Sequence, residues 1–296
     1  MLSYMTFNTE TGICSTKQLR SQGFTDYQIR LFSQNERLVS IRRGWYATPS
    51  AIPEAVKAVK LGGTIGCVSA CKEYGLWIPP QEKNKLHVSL PSNVPLQVTK
   101  ESVCFHRSSE KPHPFLPPIG DCLHQVLKYH DGETGLILLE SAFHEGALCE
   151  NDCWYLIKHA PASKRQTLKF FTPGAESGSE TRVRLFFQKR GVPVKIQHRI
   201  SGIGRVDIRF GQSGIVECDS LAFHDKETSY YQDRWRDIRT LHEGYFTVRL
   251  SYPQIWYEWD ETREYLSSLL KQRRHRNPPK PCGSTRPRAR SRKSRP

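Results

Sequence analysis

No run of apolar residues in this chain of 296 residues approaches the roughly 18 consecutive positions that a bilayer-spanning helix needs. Met1 to Ile13 also lack the basic start and apolar core of a secretory signal. These absences argue against a membrane partner and lead us to expect a soluble, cytoplasmic protein. Closely spaced cysteine pairs are missing too. The nine cysteines, an odd number, read as reduced thiols and not as a disulfide framework. Cys67/Cys71 and Cys149/Cys153 have helical i, i+4 spacing, from which a zinc shared with His144 or His159 can be drawn. Zinc pairs more often stand about two to four residues apart in loops, so the expected role is that of small core side chains. His87, His106, His113, His124 and His144 are scattered without ligand spacing, and are expected at the surface or hydrogen-bonded in the core.

Acidic residues are absent from the last stretch. Lys271 to Pro296 holds eleven Lys or Arg and no Asp or Glu, leaving 33 basic against 29 acidic residues elsewhere, so most of the net charge of +15 sits there. That stretch is Pro-rich and nearly without apolar residues, and is expected to stay disordered. Its cations, Arg273, Arg274 and Arg276 among them, suit attachment to a phosphate backbone by counterion release, and equally a solubilising end. The rest, with 37% hydrophobic and 10% aromatic residues over the whole chain, suits globular structure of about two domains.

The most informative stretch is Gly204-Arg-Val-Asp-Ile-Arg-Phe-Gly-Gln-Ser-Gly-Ile-Val-Glu-Cys-Asp219. Arg205 to Phe210 alternate polar and apolar, Ile215 to Asp219 form a second short strand, and Gly211-Gln-Ser-Gly214 is turn chemistry. A three-residue loop at Gly211–Ser213 sets Asp207 opposite Glu217 and places Val206, Ile208, Val216 and Cys218 on the other face. A loop one residue shorter or longer would split the apolar set. The hydrophobic pattern therefore selects the register that clusters the carboxylates. Their repulsion calls for a divalent cation.

Toward the front, Ser15-Thr-Lys-Gln18 and Thr25-Asp-Tyr-Gln28 fit the capping-box pattern, each ahead of a short helical segment, with Gly23 between. The second segment presents Asp26, Gln28, Arg30 and Gln34 among apolar residues. Arg37 to Tyr46 reads as two strands around an Arg42-Arg43-Gly44 turn. Together they predict a winged helix-turn-helix that contacts DNA through Gln28, Arg30, Arg42 and Arg43, with a helical hairpin of a protein-binding domain as the other reading. From Pro53 to about Pro173, helices (54–61, 64–74, 121–129, 135–144, 152–157) alternate with strands Leu86–Leu90 and Val103–Arg107. After Pro173-Gly174 follow helix Ser179–Arg190, strand Val194–Ile200, the acidic hairpin, helix Glu227–His242, strand Tyr245–Leu250 and helix Pro253–Leu270. On the long helix Tyr231, Trp235, Ile238 and Leu241 form an apolar stripe expected to pack on the sheet, with Asp233, Arg234, Arg236 and Asp237 elsewhere, most simply as a salt-bridged surface, or else as groups that orient the acidic site. The expected fold class is α+β, divided into 1–50, 51–173, 174–272 and a basic tail, 273–296.

In order, Ser177-Gly-Ser-Glu180, Gln197, Arg205-Val-Asp207, Glu217-Cys-Asp219, His224, Asp233-Arg-Trp-Arg-Asp237, Gly244-Tyr245 and Val248-Arg249 resemble the restriction-endonuclease-like PD-(D/E)XK superfamily, and within it small nucleases of the very-short-patch-repair type, over about Ser177 to Leu270. The resemblance implies Asp207 and Glu217 as ligands of Mg²⁺ or Mn²⁺, with Glu180 joining directly or through water. Glu180 also completes a capping box with Ser177, a structural reason for its presence. Asp219 stands where the superfamily often has Lys. It is assigned to the metal shell, and His224 to general acid or base chemistry. Gly12 to Ala47, closing in Arg42-Arg-Gly-Trp-Tyr46, and the following Gly75-Leu-Trp77 and Leu86-His-Val88 are similar to AbiEi antitoxins, which repress their own operon. Two functions are thus implied: a DNA-binding, Mg²⁺-dependent endonuclease of repair, restriction or phage defence, or an antitoxin-like repressor with an inactive nuclease-like domain and a cognate toxin as partner.

Overall fold

The computed structural model describes residue 7 and residues 9–96, 102–108, 116–219 and 227–282, with backbone alone at 227–234. It is a mixed α+β structure with three small sheets, in two compact units, Met1–Gly178 and Ser179–Pro296. No helix among the described residues is long and apolar enough to cross a membrane.

The first unit opens with β1 (Ile13–Ser15), α1 (Thr16–Ser21), α2 (Asp26–Gln34), β2 (Val39–Arg42) and β3 (Trp45–Ala47). The strands form an antiparallel sheet in the order β1-β3-β2. Both helix starts follow from the expected caps: Ser15 Oγ accepts from Gln18 N at 3.1 Å, and Thr25 with Gln28 closes a full capping box. Leu19, Phe24, Ile29, Phe32 and Leu38 bury against Cys14 as the core of this part. There follow α3 (Pro53–Lys60), β4 (Thr64–Ile65), α4 (Cys67–Glu73), β5 (Leu86–Pro91), β6 (Val103–Ser108), α5 (Ile119–Tyr129), α6 (Gly132–His144), α7 (Glu150–His159) and α8 (Ala162–Leu168). The second sheet has the order β4-β5-β6, antiparallel then parallel, and β5 is buried along its whole length.

Two local expectations change here. Residues 64–74 are not one helix, because Thr64 and Ile65 pair with Ser89 and Val88. Gly63 allows that approach: a Cβ there would lie 2.4 Å from the Ser89 carbonyl. The helix α8 carries little apolar signal, with Leu168 its one buried side chain.

The second unit contains α9 (Gly178–Gln188), β7 (Val194–Ile200), β8 (Gly204–Phe210), β9 (Gly214–Asp219), α10 (Glu227–His242), β10 (Phe246–Ser251), α11 (Tyr252–Trp256) and α12 (Trp259–Lys271). The sheet order is β10-β9-β8-β7; β7–β8–β9 is an antiparallel meander and β10 lies parallel to β9, joined to it through α10. Val183 and Phe187, one turn apart on α9, are fully buried, and Phe187 stacks on Phe210 at 4.3 Å. Gly214 makes room for the Phe210 ring, since a Cβ would meet it at 2.4 Å.

The orientation of α10 is opposite to the expected one. Trp235, Ile238 and Leu241 are 61%, 57% and 61% exposed, whereas Arg236 reaches the sheet. The sheet face beneath the helix carries carboxylates, so a guanidinium gains more there than an indole. The expected helix 253–270 is also broken, at Tyr257-Glu258, with Arg182 stacked over Trp256 and Trp259 on either side, at 4.6 and 4.8 Å.

The chain after α12 is ordered as far as Cys282, where disorder was expected from Lys271. His275 is buried. Gln212 N donates to His275 O at 2.7 Å, Gln212 Nε2 to Arg276 O at 2.9 Å and Ser213 Oγ to Arg274 O at 3.2 Å. Composition hides this, because the backbone of a basic segment supplies the bonds. The remainder of the expected tail, 283–296, lies outside the described residues.

Candidate functional site

The hairpin adopts the three-residue loop: Phe210 pairs with Gly214 and Ile208 with Val216. One step further the carboxylates take over the bonding. Cys218 N donates to Asp207 Oδ2 at 2.9 Å, and Asp207 N to Glu217 Oε2 at 3.4 Å. On β10, Arg249 is the registered neighbour of Glu217, and Ser251 that of Asp219. On β7, Gln197 lies between the pairs Ile196–Ile208 and His198–Val206, level with Asp207. Gln197, Asp207, Glu217 and Arg249 thus form one polar row across four strands. Gln197 has a left-handed backbone, φ +47°, a costly conformation for a residue with a side chain. Its Nε2 donates to Glu180 Oε2 at 2.8 Å, and its buried Oε1 has no hydrogen-bond partner.

Two guanidinium groups answer the acids. Arg236 Nη2 lies 2.7 Å from Glu217 Oε1 and also donates to the Arg205 carbonyl. Arg249 is 3.6 Å from both Asp219 and Asp237. The outer salt-bridged surface expected for Arg236 and Asp237 is therefore turned inward. Burial first, and then the charge of Asp207, push the Glu217 carboxyl up to about 7, against the opposing pull of Arg236 and Arg249. The Cys218 thiol is raised well above its usual range by burial, then by the fields of Asp207, Glu180, Glu217 and Asp219. His224 lies outside the described residues, as does the side chain of Asp233.

The residues expected at DNA are distributed as follows. The Gln28 amide oxygen accepts from Thr25 N at 2.8 Å and so caps its own helix, and Asp26 is held in a two-bond pair with Arg20. Arg30 and Arg43 are exposed. Arg42 Nη1 donates to Val59 O at 3.3 Å. Arg273 and Arg276 are exposed beside the Gly211–Ser213 turn, and Arg274 stacks over Phe246 at 4.7 Å.

A second site shares only Cys67 with the zinc arrangement drawn from the sequence. Cys67 at the start of α4, His87 on β5, His106 on β6 and His130 just after α5 each offer a ligand atom, all within 4.8 Å of one another. This group could hold a metal ion. It is the one such cluster among the described residues; Glu180, Asp207 and Glu217 do not converge as closely. His87 Nδ1 is 3.0 Å from His106 Nε2, and His87 Nε2 is 3.2 Å from Glu82 Oε2. Burial above all holds both imidazoles neutral, pushing His87 down to about 3 and His106 to about 4.

His87 and His106 are hydrogen-bonded core histidines, one of the two placements expected of them; what their spacing in sequence did not show is that they meet His130 and Cys67 at ligand distance. Cys67 joins them without Cys71, and neither His144 nor His159 belongs to the group. His159 Nδ1 lies instead 2.7 Å from Tyr155 O. The four ligands come from four elements, about twenty residues apart, so no short spacing announces them.

A search against protein-family models finds no match for this sequence, and a search against curated proteins finds no significant match either.

Proposed function

We propose that the protein binds DNA through an N-terminal winged helix-turn-helix and hydrolyses phosphodiester bonds with a Mg²⁺ or Mn²⁺ ion at the acidic hairpin of a restriction-endonuclease-like second unit. The observation that carries this reading is the interlocked pair Asp207 and Glu217, with Glu180 tied in through Gln197. The donor set is all oxygen, including the buried, unpartnered Gln197 Oε1, and suits a hard divalent ion. Asp207, Glu217 and Glu180 would hold it, with Asp219 at the margin; bound there, the ion supplies Lewis-acid polarisation of the phosphate and an activated water. Glu217 would bind such an ion as the carboxylate. Arg236 brings from α10 a positive charge that Asp219 does not, and would supply it to a phosphate bound at the acidic row. His224 keeps its proposed role as proton relay.

One observation favours a second reading, an antitoxin-like repressor with an inactive nuclease fold and a toxin partner. The Arg236–Glu217 pair compensates the acids without any ion. Supercoiled plasmid incubated with the protein and Mg²⁺, then with EDTA, and again with Asp207→Asn, separates the two. Nicking or linearisation lost with EDTA and with Asp207→Asn supports the nuclease. Tight binding to its own promoter without cleavage of any duplex or single strand establishes the repressor.

A further inference from the structure

Outside the acidic hairpin, the cluster in the first unit has the chemistry of a different ion. We propose that Cys67, His87, His106 and His130 bind one Zn²⁺ in a closed structural site that ties α4, β5, β6 and the end of α5 together. One thiolate and three imidazoles are the borderline-soft donors that select zinc over Mg²⁺. In a tetrahedral site, with Zn–S about 2.3 Å and Zn–N about 2.0–2.1 Å, ligand atoms stand roughly 3.3–3.6 Å apart. Here all four lie within 4.8 Å, and His87 Nδ1 and His106 Nε2 are already 3.0 Å apart. Closing on an ion takes side-chain movements of about an ångström.

The surroundings carry the same sign. Glu82 sits behind the rings, 3.2 Å from His87 Nε2 and 3.9 Å from His130 Nδ1. A carboxylate on the far nitrogen fixes the tautomer and aims the other nitrogen at a metal. Lys85 Nζ, 3.1 Å from Glu82 Oε1, holds that carboxylate in place. His130 Nε2 is buried with no hydrogen-bond partner. A proton shared between His87 and His106 accounts for one ring pair, but not for this third nitrogen. Nor does it account for Cys67, whose backbone is left-handed, φ +49°, and is held there by Gln125 Oε1, which accepts from Cys67 N at 2.9 Å. Such a conformation in a residue with a side chain marks a position fixed by its surroundings.

Cys67, His87 and His106 are 0%, 0% and 5% exposed, with His130 only partly buried, so four protein donors fill a tetrahedral shell that is largely shut off from solvent. On binding, the Cys67 thiol releases its proton to solvent. Zn²⁺ with one thiolate leaves one positive charge, which faces the Glu82 carboxylate that Lys85 also shares.

The test uses the full chain. Elemental analysis after dialysis should give about one zinc per protein. Co²⁺ added to zinc-stripped protein should produce a thiolate-to-cobalt charge-transfer band and the visible bands of a tetrahedral ion, both removed by one equivalent of Zn²⁺. Cys67→Ser should lose the charge-transfer band, Glu82→Gln should keep it with affinity down about 10–100-fold, and Asp207→Asn should leave it unchanged, which separates this site from the acidic one. Folded wild-type protein without zinc and without a tetrahedral cobalt spectrum overturns the proposal. So does a charge-transfer band that survives Cys67→Ser. Should Cys67→Ser not fold, the wild-type titration alone decides.

Discussion

Arg236 of α10 closes on Glu217 of β9 at 2.7 Å, so the acidic row holds a counter-charge drawn from a helix, beside that of Arg249 on the neighbouring strand. Removing it leaves two carboxylates facing each other. Arg236→Ala should cost about 1–3 kcal/mol of stability in EDTA, and Mg²⁺ should recover much of it. Urea unfolding with and without Mg²⁺ checks this; an equal loss in both buffers would show that Mg²⁺ does not neutralise the pair.

Asp207→Asn retains size and most hydrogen bonding, including an acceptor for Cys218 N, but loses a charge needed to hold a cation. Cleavage should fall to background, while DNA affinity and the circular dichroism spectrum stay those of the wild type. Asp219→Lys restores the cation that the superfamily resemblance implies and should preserve or raise the rate. Plasmid nicking assays read both variants.

Glu217 also gives the protein a pH signature in metal-free buffer. Its carboxyl is raised from 4.5 to about 7 in the fold by burial and by Asp207. As pH rises from 4.5 the unfolded chain loses this proton before the folded one does. Stability therefore declines between about pH 4.5 and 7, on the order of 2 kcal/mol in all, and levels off above. Glu217→Gln should remove that slope. Melting temperatures across this range in EDTA, for both proteins, provide the comparison.

Arg30 and Arg43 are exposed, whereas Gln28 is spent on its helix cap. Arg30→Ala and Arg43→Ala should each weaken DNA binding for all sequences and lower the slope of log affinity against log salt by about one. Gln28→Ala should act mainly through helix stability, costing about 1 kcal/mol. Binding isotherms at several salt concentrations distinguish the two kinds of effect.

The hairpin was legible because one rule, period-two alternation, fixed its loop, its register and the meeting of Asp207 with Glu217. The caps at Ser15 and Thr25 were legible for the same reason: each is decided within four residues. The direction of α10 was not. Its apolar stripe argued for burial, but the face waiting for it is charged, and that depends on strands far away in sequence. The histidine cluster was hidden more deeply. His87 and His106 lie on adjacent parallel strands, yet their registered partners are Cys104 and Ser89, so even a correct strand pairing would not have put the two rings together without the pleat and the placement of His130.

Gly211 has φ +60° and no space for a side chain, since a Cβ would stand 2.4 Å from the His275 carbonyl. The segment behind α12 is therefore a strap across the very turn whose length sets the carboxylate register, and it is pinned again where Cys282 N meets His242 O at 2.7 Å. Cutting the chain at Lys271 would remove the strap together with its charges, while cutting after Cys282 keeps the strap's bonds to the turn. Six of the cations lie beyond that pin, within fourteen residues. However those residues run, none can be more than about 50 Å from Cys282. Chain length alone therefore ties the basic end to the unit that carries the acidic strands.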